Sequence, residues 1–246
     1  MRAEWIKLTS LRSTWWSIAS VAALSIGLSL MIAAASASLD GAGMPADAVI
    51  LAPTQFTMLL AGALGAIAVT GEYSTGQIRS TLTAEPRRGA VLLAKSLAVA
   101  AFVAVSTAVI LVAATLATAP ILGDAAMDWS DPKASLVPLA AGVLSMTCFA
   151  LIGTGIGFAL RSGPGAISVT VAILFILPIL PGLIAIAPGW EWIMDAGRYL
   201  PTNASQVLMM GANDGGLSVG VAGSALFAWT IGALALGYGV LRMRDA

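Results

Sequence analysis

Three stretches of this chain carry residue types that could do chemistry, and each falls short of a reactive site. Gly89-Ala90-Val91-Leu92-Leu93-Ala94-Lys95-Ser96 has the spacing of a phosphate-cradling loop, G-x-x-x-x-G-K-S. Ala94 stands where that loop needs its second glycine, and no strand pattern precedes the segment. It reads as the start of an apolar helix rather than an ATP site. Gly153-Thr154-Gly155 opens a dinucleotide-type pattern, but Phe158 takes the third glycine position inside an apolar run. Cys148, the one cysteine, lies among Met146, Thr147, Phe149 and Ala150, as a small buried hydrophobe would. It can form no intrachain disulfide. Histidine is absent altogether, which removes the commonest metal ligand and the commonest general acid/base. A nucleophile–base hydrolase and a histidine-built metalloprotease are thereby excluded. No catalytic residue, metal site or cofactor is expected in this chain.

The elements that would position any site are membrane helices. Hydrophobic residues make up 59% of the 246 positions and charged residues 10%, against about 25% charged in soluble domains. So few polar side chains cannot cover so apolar a chain, and lipid must solvate much of its surface. Six stretches reach the roughly 20 residues a bilayer core demands: 15–38, 53–71, 92–122, 136–160, 166–187 and 217–241. The fold class is therefore an all-α integral membrane protein, a single domain over residues 1–246. The first run is too long for the apolar region of a cleaved signal peptide, so the first span is expected to be retained. In the fifth, Leu177-Pro178-Ile179-Leu180-Pro181-Gly182 predicts a break or kink. Gly153, Gly155 and Gly157, and further on Gly216, Gly220 and Gly223 with Ser224, predict close helix–helix approach.

Basic residues set the direction. Ten lie on one side of the spans (Arg2, Lys7, Arg12; Arg79, Arg87, Arg88, Lys95; Arg161; Arg242, Arg244) and two, Lys133 and Arg198, on the other. Both termini are expected to be cytoplasmic. The balance of 12 basic and 12 acidic residues argues against a nucleic-acid partner. Away from their ends the spans carry no Asp, Glu, Lys or Arg; Glu72, Lys95 and Arg161 sit at cytoplasmic ends. Ion-coupled carriers keep such groups near the midplane, so any driving energy should come from a partner.

Two segments outside the spans are patterned. In residues 1–14 and the start of the first span, Trp5, Leu8, Leu11 and Trp15 recur at helical spacing, as in an interfacial helix with tryptophans at headgroup level. A plain positive flank that fixes topology is the other reading. Between the second and third spans runs Gly71-Glu72-Tyr73-Ser74-Thr75-Gly76-Gln77-Ile78-Arg79-Ser80-Thr81-Leu82-Thr83-Ala84-Glu85-Pro86-Arg87-Arg88-Gly89. Ile78 and Leu82 share a helical face with Arg79 beside it, and Pro86 stops the helix. A short surface helix with an apolar ridge suits docking.

The order Glu-Tyr-x-x-Gly-x-Ile-Arg-x-x-Leu-Thr, then Pro-Arg-Arg and Lys95, resembles the loop between the second and third spans of ABC-2 type permeases. These are the membrane subunits of bacterial ATP-binding-cassette exporters whose ATPase is a separate chain. The opening (Glu4-Trp5-Ile6-Lys7-Leu8, Arg12-Ser13-Thr14-Trp15) and Arg198-Tyr199-Leu200-Pro201-Thr202-Asn203 are similar to that group as well. The resemblance implies a coupling helix at Glu72–Leu82, with Glu72, Tyr73, Gly76, Ile78, Arg79 and Leu82 transmitting motion. It implies an ATPase partner holding ATP and magnesium, a second permease copy or paralogue, and a bacterial plasma-membrane location in contact with lipid. Short re-entrant helices on the outer side are implied between Pro188 and Gly216, where an interfacial aromatic belt is the other reading. The lack of ionisable groups in the spans suggests an apolar or amphipathic cargo, while the residues that would bind it are not identifiable. An ATPase-independent channel or carrier, and a non-transporting accessory or sensor subunit, are the rival functions.

Overall fold

The computed structural model describes residues 12–38, 43–85, 87–186, 189–190, 192–212 and 216–243. Of the interfacial helix expected over residues 1–14, positions 1–11, with Trp5, Leu8 and Leu11, lie outside them, and 12–14 begin the first long helix. Eleven α-helices follow in order among the described residues: α1 (Arg12–Ala37), α2 (Ala46–Leu51), α3 (Thr54–Ser74), α4 (Gln77–Ala84), α5 (Arg88–Leu122) and α6 (Pro132–Leu160). Then come α7 (Gly163–Val171), α8 (Leu177–Ile184), α9 (Trp192–Gly197), α10 (Pro201–Met210) and α11 (Val219–Met243). Strands are absent from the described residues. Six helical runs are long and apolar enough to cross a membrane: Thr14–Ala37, Ala46–Ser74, Arg88–Ala125, Pro132–Leu160, Gly163–Ile184 and Val219–Met243. The chain is a multi-pass membrane protein. Each run lies within a few residues of its expected bounds, except that the second begins earlier, because α2 stacks on α3 through the turn at Ala52-Pro53.

α6 is the axis of the bundle, in contact with α3, α5, α7, α10 and α11. Its start is set by local chemistry. Pro132 occupies the first helical turn and Asp131 caps it, accepting hydrogen bonds from the backbone N–H of Lys133 at 2.9 Å and of Ala134 at 3.4 Å. Its far half carries the expected glycine stripe, which is where neighbouring backbones come closest. A Cβ added at Gly153 would lie 2.0 Å from the carbonyl oxygen of Gly62 on α3, and one at Gly155 would lie 2.3 Å from that of Ala233 on α11. A Cβ added at Gly65 on α3 would in turn run into the Ala150 carbonyl oxygen. Without a hydrophobic force between helices in lipid, such close packing is what holds them together. The second small-residue stretch behaves differently. Gly220 has open space where a Cβ would go and Gly223 meets only Leu208 at 3.7 Å, so no tight approach forms there within the chain.

The fifth span does not break at its prolines; it widens ahead of them. Ala172–Ile176 forms a π-turn between α7 and α8, and helix continues through Pro178 and Pro181. Pro178 has no N–H to offer the carbonyl of Leu174, four residues back. Thr202 at the start of α10 supplies the missing donor, its Oγ1 reaching that oxygen at 2.6 Å. Both Leu174 and Thr202 are buried. Thr202→Val is expected to cost about 1–3 kcal/mol by leaving the carbonyl unpaired, with Thr202→Ser near neutral. Unfolding midpoints of the two variants in mixed micelles check this.

α10 turns back into the bundle, burying Ala204, Ser205 and Met209. Ahead of it, Trp190 and Trp192 are stacked at 6.2 Å and largely exposed, as residues of an interfacial belt would be. Among the described residues of the stretch 188–216, two short helices, α9 and α10, are present. Cys148 is a buried free thiol within the main core cluster.

Candidate functional site

Charged side chains gather at one end of the bundle, where α3, α6 and α11 finish and α5 begins on either side of the short helix α4. Below them lies an apolar plug of Val69, Leu92, Phe158 and Leu241, with Tyr73 and Leu234 packed against it. Each helix arrives here with backbone groups its own turns cannot satisfy. The last carbonyls of α11 receive two arginines. Arg88 Nη1 donates to Leu241 O at 2.7 Å and Arg242 O at 3.2 Å, and Arg161 Nη2 donates to Val240 O at 3.2 Å. Cations at a helix C-terminus also meet the favourable end of its dipole.

Arg161 ends α6 in the left-handed region, φ 57°, a conformation usually left to glycine. Its side chain accounts for its presence. Besides its hydrogen bond to α11, its guanidinium stands 5.3 Å from the centroid of the Tyr73 ring on α3. One residue thus ties α6 to both neighbours.

Glu72 and Lys95 form the centre of the site. Lys95 Nζ lies 3.0 Å from Glu72 Oε1 and 3.3 Å from the carbonyl oxygen of Ala68. The two residues are 5% and 3% exposed, so the pair is buried rather than set at a wet membrane edge. Glu72 belongs to the last turn of α3 and Lys95 to the second turn of α5, since both helices run further than their hydropathy suggests. The pair therefore clamps together the two spans that α4 connects. In the segment with P-loop-like spacing, residues 89–96 are helical, in the first turns of α5, and Lys95 is engaged by Glu72.

The structure divides the six residues assigned to the α4 region. Glu72 and Tyr73 are not part of the short helix; they are in the C-terminal turn of α3. Gly76 is the joint, at φ 70°, which only glycine adopts without strain, and α4 begins one residue later. Ile78 is buried against its own chain at 3% exposure, so it anchors α4 and is no free docking ridge. Leu82 is half-buried, while Arg79, Ser80 and Thr83 face outward. Trp15, placed with the interfacial pattern, is exposed in the first turns of α1.

Among the described residues there is no cluster of three or more metal-ligating side chains. The arrangement is a small exposed helix on a glycine joint, continuous with two spans that a buried ion pair joins. A scan against protein-family models finds no match for the chain, and a search of the curated proteins finds no similar sequence.

Proposed function

We propose that this chain is the permease subunit of an ATP-driven exporter, of the ABC-2 type its sequence resembles, and that α4 is its coupling helix. In this reading both termini and α4 are cytoplasmic, as the bias of basic residues requires, and the membrane is the bacterial plasma membrane. ATP and magnesium belong to a separate ATPase. A second copy or a paralogue completes the pathway, and the cargo is apolar or amphipathic.

The observation that supports it best is the root of α4. A docking element that relays force must be exposed to its partner and stiffly joined to the spans. α4 presents Arg79, Ser80 and Thr83 outward, and Ile78 holds it down. At its two ends the chain enters α3 and α5, which the Glu72–Lys95 pair clamps at 3.0 Å. A push on α4 therefore reaches two spans as one body. Through Arg161 and Tyr73 it reaches α6, and through Arg88 it reaches α11.

Purification of the tagged chain in mild detergent, followed by mass spectrometry, should recover an ATPase with a complete G-x-x-x-x-G-K-[ST] loop in near-equimolar amount. Arg79→Glu and Leu82→Asp should each leave membrane insertion and melting unchanged, yet reduce ATPase recovery and cargo-coupled ATP hydrolysis. Full recovery and full coupling in both variants would remove α4 from the coupling role. A chain that purifies alone, even after crosslinking, would instead favour a channel or an accessory subunit.

A further inference from the structure

At the end of the bundle opposite α4, a cavity of about 380 Å³ opens between α8 and the α9–α10 pair. Local contacts brace its walls. Beyond the π-turn, α8 brings Pro178, Ile179 and Pro181 to one side. Gly197, at the end of α9, packs so near Pro181 that an added Cβ would stand 2.7 Å from its Cγ. Asn203 Nδ2 donates to the carbonyl oxygen of that same Gly197 at 2.8 Å, which joins α9 to α10. Thr202, one residue earlier, ties α10 to Leu174 of the π-turn. Gln206 reaches α3, its Nε2 donating to Gln55 Oε1 at 3.0 Å. The cavity is therefore preformed, and its volume falls within the usual range for small-ligand sites, about 300–1,000 Å³.

Met194, Val207, Met210 and Leu217 continue the apolar lining, and three polar side chains interrupt it: Arg198, Asn203 and Gln206. Among the described residues that line the cavity, Arg198 is the one ionisable group, so no acid balances it within those walls. Its partner Asp195, 3.2 Å from Nη2, stands outside the lining with its side chain 70% exposed. An ion pair this wet holds its members weakly. The guanidinium carries five N–H donors in a planar fork and can serve a second carboxylate beside the first. The amide nitrogens of Asn203 and Gln206 each carry a second hydrogen besides the one already donated. A guanidinium flanked by amide donors and set among apolar walls suits an oxyanion that carries an apolar body.

We infer that this cavity binds a compact anionic amphiphile, a carboxylate on a short apolar body, held whole within it. The acidic end meets Arg198, with Asn203 and Gln206 beside it, and the apolar body lies against Pro178, Ile179 and Met210. A cation would face the Arg198 charge and find no opposing one among these lining residues. A neutral apolar compound would cover the guanidinium and return no hydrogen bond to it, which costs free energy. The inference concerns binding alone and stands whether or not the chain exports anything.

The probe is decanoate carrying a diazirine on its chain, added to the full chain in phosphatidylcholine nanodiscs, with labelled peptides mapped by mass spectrometry. Label should concentrate on residues 178–182 and 203–211. Unlabelled decanoate should displace it at about a tenfold lower concentration than decanol or decyltrimethylammonium, the margin of a charge-assisted over a neutral hydrogen bond. Gly182→Leu, at a lining position where an added Cβ meets no atom within 4 Å, should abolish the label without lowering the melting temperature. Met210→Trp, at an exposed lining position, gives a second plug with the same expected loss. Arg198→Gln should erase the preference for decanoate over decanol. Label spread evenly over all lipid-facing helices and unmoved by both plugs would overturn the site. Equal displacement by decanol would overturn the acidic end. Phosphatidylglycerol in the bilayer displacing the probe as well as decanoate does would overturn the compact ligand in favour of a lipid headgroup.

Discussion

Glu72→Gln is expected to cost about 3–5 kcal/mol of stability, because it leaves the Lys95 ammonium without its carboxylate in a site closed to water. Lys95→Met should cost a similar amount by stranding the carboxylate of Glu72. The two residues are in contact at 3.0 Å and each is at least 95% buried, so their losses should not add. Glu72→Leu with Lys95→Met should recover most of the loss, since apolar residues of similar volume often replace a buried ion pair at little cost. Reversible unfolding in mixed micelles, run on the parent, Glu72→Leu, Lys95→Met and their double variant, gives the interaction energy. Single variants as stable as the parent would mean that the pair does not clamp α3 to α5. Activity should respond otherwise. The double variant keeps its fold but joins α3 to α5 by soft apolar contact, and if α4 relays force, coupled ATP hydrolysis should fall while stability is restored. This pair is thus where stability and coupling can be measured apart.

The second large effect is expected at the glycines of α6. Gly153→Ala would place a methyl group 2.0 Å from the Gly62 carbonyl oxygen, and Gly155→Ala would place one 2.3 Å from that of Ala233. The obstructing atoms are backbone, so no rotamer change relieves the clash and whole helices must part. Overpacking of this kind costs about 1–3 kcal/mol or more. In lipid it also removes the contacts that hold the helices together. Gly220→Ala and Gly239→Ala are the controls, with no atom within 4 Å of the added Cβ. They should be neutral or slightly stabilising, because alanine favours helix over glycine by about 1 kcal/mol. The unfolding midpoints of the four variants check the contrast. Equal behaviour of all four would mean that α6 does not meet its neighbours through bare backbone.

The number and placement of the helical runs were legible in the sequence because lipid leaves few alternatives for an apolar segment of that length. The glycine stripe of α6 was legible as a stripe, but its partners were not. Gly153 meets Gly62 and Gly155 meets Ala233, pairings that only the packing of three helices decides. The stretch from Gly216 to Ser224 carries the same residue types and makes no such contact, which shows how little composition alone decides. The ion pair was hidden for a different reason. Hydropathy ends the second span at residue 71 and starts the third at 92, so Glu72 and Lys95 read as edge residues. Both helices in fact continue, because the two charges neutralise each other inside and remove the reason to stop. The burial of Ile78 was not legible, since a helical face tells which side is apolar and not what covers it.

The bare-backbone contacts of α6 also limit how this protein can move. Gly65 and Gly153 each have a neighbouring carbonyl where a side chain would be, and Gly155 does so on the opposite flank. Sliding α6 by one residue, about 1.5 Å, would drive Ala150, Thr154 or Ile156 into gaps that admit only hydrogen. Rotation about its axis meets the same obstruction. α3, α6 and α11 are therefore locked in register along their shared length and can travel only as a single keel. Freedom of movement is left to α1 and to the fifth span with its widened turn.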